Sequence, residues 1–237
     1  LTEWPRGYRK AHHTEIDSTN SEARRLADAG DAGAIWIVAD RQTAGRGRRG
    51  RVWQTQQGNL ATTLLIRPQG TQVAQLSFAA ALAVSDMVGA FAPHAAIAVK
   101  WPNDVLAESR KIAGILLEAG PGWLAVGMGV NLAAAPEGTE FPATALADLG
   151  VTPPPPDAAL AVIANRFAHW YDVWVENGFE PLRMAWLARA GGLGAPIRAR
   201  LPHEERNGVF EGIDANGALL LNEQGLVRPI SAGEVFF

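Results

Sequence analysis

The stretch Gln42–Trp53, QTAGRGRRGRVW, sets four arginines among three glycines. Gly45, Gly47 and Gly50 carry no Cβ, so backbone N–H groups there can approach an anion closely. Arg46, Arg48, Arg49 and Arg51 cannot all be buried unpaired, because a bare charge inside a protein costs several kcal/mol. A guanidinium also grips carboxylate or phosphate with a two-pronged fork. Three readings stay open on these residues: a site for a small anion, a solvated basic loop, or a nucleic-acid contact. The loop follows a hydrophobic strand and runs straight into Val52 and Trp53, which argues against a disordered arginine–glycine segment. It is not a Walker loop, because the Gly-Lys-Ser/Thr ending is missing. Its glycines fit the GxGxxG spacing, but turn and strand residues follow where a dinucleotide fold needs a helix.

The rest of the chain limits the choice. Its 237 residues suit one large domain or one domain with a small satellite. Hydrophobic residues make up 48% and charged residues 19%, which predicts a packed core. A formal net charge of -3 does not suit a surface built for long nucleic acid. Cysteine is absent, so no disulfide, thiolate nucleophile or cysteine metal site exists, as expected of a cytoplasmic protein. No signal peptide is read at the N-terminus. The apolar run Val73–Ala92 holds Asp86 near its centre, which favours a core helix over a membrane span. The five histidines are scattered and form no zinc or triad spacing.

Local patterns predict the elements. EIDSTNSEARRLADAG reads as a helix with a Thr19–Glu22 capping box and a left-handed C-cap at Gly30. Ala34–Ala39, Asn59–Pro68, Ala96–Pro102 and Trp123–Leu132 read as strands, and Asp104–Ala119 as a hairpin turning near Glu108 to Arg110. A helix follows the prolines at 153–156 with Asp157 as its N-cap, and another covers Glu180–Ala190. GGLGAP, Gly191–Pro196, is taken as a boundary that carries few contacts. Beyond it, short strands predict a small all-β module too small to stand confidently alone.

Further candidates lie outside the arginine loop. Lys100 ends a buried strand in VKWPNDVL, where it needs an anion or a route to solvent. Asn103 and Asp104 read as turn residues, and Lys111 as solvated rather than functional, though within reach of the same site. GMGVNL offers Gly127 and Gly129 as a flat floor for a ring, with Asn131 able to ligate Mg²⁺ or bond a phosphate. In DSTN, Thr19 serves as the cap, leaving Ser18 and Asn20 free for a small polar ring.

Taken together, DSTN, QTAGRGRRGR, KWPNDV, RKIAGILLE and GMGVNL, in this order, resemble the biotin–protein ligases, which attach biotin to biotin-dependent carboxylases. The C-terminal GIDANGALLL…GEVFF resembles that family's small SH3-like domain. The resemblance implies an α+β fold: a mixed sheet with flanking helices, related to class II synthetases, over residues 1–191, and an SH3-like β-barrel over 192–237. It implies biotin and ATP as substrates, with Mg²⁺. Ser18, Thr19, Asn20, Gln42, Gly45, Arg46, Gly47, Arg48, Lys100, Gly114, Gly127 and Gly129 would hold biotin. Arg46, Arg48, Arg49, Arg51, Lys100 and Asn131 would hold ATP, Asn131 also placing Mg²⁺; Lys100, Arg46 and Arg48 would act in catalysis. The partner would be the biotin carboxyl carrier protein of a carboxylase, and a homodimer is possible. About sixteen residues precede DSTN, too few for the three-helix DNA reader of bifunctional members. The monofunctional form, without a DNA or membrane role, is therefore expected. Lipoate or octanoate transfer within the same superfamily, and an anion- or nucleic-acid-binding module, are the alternatives. The segment AAAPEGTEFPATAL, where the family covers adenine, is left without assigned residues.

Overall fold

The computed structural model describes residues 3–70 and 72–237. Two sheets organise the chain. The first runs β1 (Arg9–Ile16), β2 (Ile35–Gln42), β3 (Leu60–Ile66), β4 (Ile97–Lys100), β5 (Asp104–Ala107), β6 (Arg110–Gly120) and β7 (Trp123–Val130), in spatial order β1-β2-β3-β7-β6-β5-β4. Only the β1–β2 pair is parallel, so the sheet is mixed, as expected. The helices are α1 (Thr19–Asp28), α2 (Leu76–Phe91), α3 (Pro156–Asn177) and α4 (Phe179–Leu187).

Period-two alternation sorts the central strands between two layers. Ile35, Ile37, Leu65 and Ala125 face Ala23 and Ala27 of α1. Trp36, Val38, Leu64, Ile66 and Val126 face the larger core under α2 and α3. Because both faces are covered, β3 is buried along its whole length. α2 is apolar and enclosed from Leu76 to Met87 except at Ser77 and Asp86. It is the core helix of this fold, although its length and composition would suit a membrane. Asp86 is satisfied by Arg189 at 2.9 Å and by the Trp170 indole N–H at 3.0 Å.

The second sheet holds β8 (Pro196–Arg200), β9 (Glu205–Ile213), β10 (Leu219–Glu223), β11 (Leu226–Ile230) and β12 (Glu234–Phe236), all antiparallel, in order β11-β10-β9-β8-β12. Among the described residues β11 and β12 form no ladder, so the SH3-like sheet does not close into the expected barrel. It shares its core with the large domain: Phe210, Leu219 and Ile230 belong to the same cluster as Leu82 and Trp186. GGLGAP is not poor in contacts either. Gly191 N–H bonds to the Val99 carbonyl at 2.9 Å and Gly194 N–H to that of Phe210 at 2.8 Å.

Several local expectations change. Thr19 forms no capping box; Ser18 takes the N-cap position with extended backbone and no side-chain cap bond. Gly30 does adopt the left-handed form, φ 86°. Pro155, not Asp157, precedes α3, and Asp157 instead pairs with Lys10 at 2.7 Å. The hairpin turns at Glu108 and Ser109, both left-handed. β1 was not anticipated, since its exposed, charged residues give an edge strand without a buried alternation.

One shared core predicts one unfolding event. Phe210→Ala in β9 should lower stability by about 3–5 kcal/mol and shift a single urea transition read by both far-UV and tryptophan signals. Two separated transitions would contradict the shared core.

Candidate active site

A cleft of about 380 Å³ opens beside the ends of β2, β4 and β7. This lies within the usual range for small-molecule sites. It is lined by Ser18, Thr19, Asn20, Gln42, Arg46, Gly47, Arg48, Arg51, Lys100, Gly114, Gly127, Gly129 and Asn131. Of the candidate site residues singled out in the sequence, Gly45, Arg49 and Gly50 stand outside its lining.

At one end the cleft is polar and uncharged. The Thr19 backbone N–H and hydroxyl both reach Gln42 Oε1, at 2.8 and 3.1 Å. The donor-only Thr19 backbone N–H fixes the amide's orientation, and Gln42 Nε2 then donates to Thr55 Oγ1 at 3.1 Å. Thr19 is thus spent on the pocket rather than on the helix end. Gly127 and Gly129 on β7 and Gly114 on β6 form the floor, Gly114 and Gly129 being register partners. A Cβ on Gly127 would collide with Asn20 Oδ1, and one on Gly129 with the Trp53 indole. The ring that lies on this floor is the protein's own Trp53, which also comes within 3.2 Å of a Cβ placed on Gly114.

The arginine loop is a folded hairpin. Gly47 N–H bonds to the Arg51 carbonyl at 2.7 Å and Trp53 N–H to that of Gly45 at 2.9 Å. Gly45 is required here because a Cβ would meet the Trp53 carbonyl at 2.5 Å. Its part is to close the loop upon itself. Arg46 reaches Ser21 Oγ at 3.1 Å and Glu118 at 3.4 Å. Arg48 is half-buried; burial, then the neighbouring Arg49 charge, lower its pKa, and its contacts to Asn103 and the Gly233 carbonyl are long, 3.4 Å each. Arg49 and Arg51 turn to the second sheet, lying 3.8 and 2.8 Å from Glu234.

At the other end two lysines meet one carboxylate. Lys100 is 5% exposed, so it does not snorkel to solvent. Its Nζ lies 3.7 Å from Asp104 Oδ2 and 4.1 Å from the Phe141 ring centre. Burial lowers its pKa, and Asp104 works in the opposite direction. Lys111, expected to be solvated, points into the cleft, 2.6 Å from Asp104 Oδ1 in an ion contact without hydrogen-bond alignment. Asp104 is therefore a counter-ion rather than a turn residue. Asn103 also has a defined task, its Nδ2 donating to the Ile115 carbonyl at 2.5 Å. Asn131 is buried, with Nδ2 committed to the Thr144 carbonyl at 3.0 Å, which leaves its oxygen for a ligand. Among the described residues no group of three or more His, Asp or Glu is placed to hold a metal.

Sequence reasoning missed Trp53, Phe141, Glu140, Glu234 and Phe236, all in the lining. Glu140 and Glu234 both bind Arg200, each at 2.7 Å, and thereby tie the segment before Phe141, the arginine loop and β8 together. The change of texture after Gly191 and the family likeness of GEVFF pointed to that end of the chain without assigning it a place in the cleft.

Comparison with known proteins follows this geometry. Residues 15–132 match the Biotin/lipoate A/B protein ligase family, and residues 192–237 the Biotin protein ligase C terminal domain. A biotin–[acetyl-CoA-carboxylase] ligase of Paracoccus denitrificans is 48% identical, over 93% of this chain and 97% of its own. The enzyme of that name from Mycobacterium tuberculosis is 35% identical, over 93% and 86%. The biotin protein ligase of Aquifex aeolicus, solved in complex with biotin and ATP, superposes with a TM-score of 0.84 at 27% identity, over 96% of this chain and 97% of that one. The chain belongs to the biotin protein ligase family.

The charge network has a pH signature. Burial pushes the Glu234 carboxyl up, but hydrogen bonds from Arg200 and Arg51 prevail and hold it at about 2, below its ordinary 4.5. The lower pKa belongs to the folded state, so the stabilisation is complete above pH 4.5 and fades as the pH falls toward 2. Urea midpoints measured across this window should fall more steeply for the parent protein than for Glu234→Gln.

Proposed function

We propose that this protein activates biotin with ATP as biotinyl-5′-AMP and transfers it to a lysine of the biotin carboxyl carrier protein of a carboxylase, in the cytoplasm. The observation that carries this reading is the polarity of the cleft. A neutral hydrogen-bonding corner, Ser18, Thr19, Asn20 and Gln42, leads over glycine into the cations Arg46, Arg48, Lys100 and Lys111. Biotin has this polarity, a neutral bicyclic ring at one end and a carboxylate at the other.

In the first step a carboxylate oxygen attacks the α-phosphorus and pyrophosphate leaves with the broken P–O bond. The carboxylate is already ionised at neutral pH, so no general base is required. The obstacle is repulsion, roughly 4 kcal/mol between unit charges at about 4 Å and an effective dielectric near 20. Arg46, Arg48, Lys100 and Lys111 are positioned to reverse that sign, the buried Lys100 being the least screened. Mg²⁺ would arrive with the phosphates and neutralise them, the Asn131 oxygen being a suitable hard ligand. In the second step the carrier lysine attacks the acyl carbon and AMP leaves. That amine, with a free pKa near about 10.4, must first lose a proton. Asp104 is already engaged by Lys100 and Lys111, at 3.7 and 2.6 Å.

Arg49 and Arg51 are paired by Glu234 and Glu140, which supports a loop folded for one small ligand over one spread on nucleic acid. A DNA role is not proposed. The C-terminal sheet supports biotin over lipoate, and the division at 191/192 is supported by the separate sheets. A homodimer would use the open edge of β1.

Exchange of labelled pyrophosphate into ATP should require biotin and fail with lipoate; folded protein that gives no exchange would end this reading. Lys100→Ala should slow exchange by about 10²–10³-fold while the calorimetric biotin affinity changes little. An equal loss in both would make Lys100 a binding residue only.

A further inference from the structure

The glutamate that ends RKIAGILLE, Glu118, lies outside the cleft lining. It faces a shallow recess behind Asn20, beside Arg24, Arg46 and Trp123. Asn20 Nδ2 reaches through to it, donating to Glu118 Oε2 at 2.8 Å and to the Leu116 carbonyl at 3.3 Å. Both of these groups can only accept. The amide of Asn20 must therefore turn its nitrogen outward and its oxygen toward Thr63.

That orientation leaves four oxygens in a row. Asn20 Oδ1 lies 2.6 Å from Thr63 Oγ1, Thr63 Oγ1 lies 2.8 Å from Thr19 Oγ1, and Thr19 Oγ1 lies 3.1 Å from Gln42 Oε1. The Gln42 oxygen cannot exchange with its nitrogen, because the Thr19 backbone N–H already donates to it at 2.8 Å. The two threonines supply one hydroxyl proton each for three contacts. One contact always lacks a proton, so the row, buried at Asn20, Thr63 and Thr19, is one donor short. Thr19 and Gln42, at its inner end, line the cleft. If the Asn20 amide flipped, its NH₂ would supply the missing proton from within and the deficit would vanish.

We propose that Glu118 is a positioning residue: by holding Asn20 with its oxygen inward, it keeps this corner of the cleft an acceptor that takes an N–H from the ligand. The proposal rests on the reading of the ligand as biotin, whose ring is a cyclic urea with two N–H groups. The carboxylate acts through Asn20. Its contacts with the half-exposed Arg46 are long, 3.4 and 3.5 Å, and contribute little.

Glu118→Gln keeps the size but adds a donor that allows Asn20 to flip. In biotin-dependent pyrophosphate exchange it should raise the KM for biotin by about tenfold, the factor equivalent to about 1.4 kcal/mol, with kcat and the melting temperature nearly unchanged. The same substitution in an Asn20→Ala background should have no further effect on KM, and in an Arg46→Ala background it should keep its full effect. Calorimetric biotin affinity gives the same comparison where turnover is too slow to measure. An unchanged KM overturns the proposal, and so does an effect that survives Asn20→Ala or disappears with Arg46→Ala. Absence of exchange in the parent protein would instead remove the function proposed above, a distinct result.

Discussion

Asp104 stands between two ammonium groups, Lys100 and Lys111, at the wall of the cleft. A single buried lysine would tend to shed its proton, and a single buried carboxylate to gain one. Here both lysines lie within ion-pair distance of Asp104; burial lowers the Lys100 pKa, and Asp104 opposes that shift. Most of the fold serves this arrangement. β4 delivers Lys100, β5 delivers Asp104 and β6 delivers Lys111, and the pairing of β4 with β5 and β5 with β6 sets their spacing. Phe141 closes over Lys100 and limits its contact with solvent. The same positive end explains the chemistry, since joining two anions needs fixed positive charge more than it needs an acid or a base.

The second constraint is the absence of side chains on the floor. Gly114, Gly127 and Gly129 lie on two adjacent central strands, where β-branched residues would normally pack. Their absence leaves a shelf for Asn20 and Trp53. The polar corner above the shelf then depends on directional bonds alone, because no packing could distinguish one planar ring from another. Shape and proton direction divide the work of recognition between them.

Much of this was legible in the sequence for physical reasons. The strands around Trp36 and Leu64, the core helix and the glycine floor all declare themselves by strong local patterns. The charged edge strand β1 does not, because half of its residues face water. Thr19 misleads for a different cause: capping is a local rule, and Gln42, distant in sequence, offers the better partner. Lys111 and Asp104 looked like a solvated residue and a turn residue because the β4–β5–β6 meander that brings them together is a tertiary fact. Glu140 and Glu234 lie in segments whose family likeness assigns them no role, and only folding brings them to the arginine loop.

The position of Glu234 and Phe236 in the lining has a consequence in time. Synthesis runs from the polar corner, near residue 18, toward β12, so the cleft's first wall is made well before its last. A chain still held in the ribosome at that stage lacks Glu234, the nearer counter-charge of Arg51, and Phe236, one of the two aromatic rings beside Lys100. The finished cleft therefore belongs only to chains in which the second sheet has docked, and an unfinished chain has no complete enclosure in which to hold a reactive anhydride.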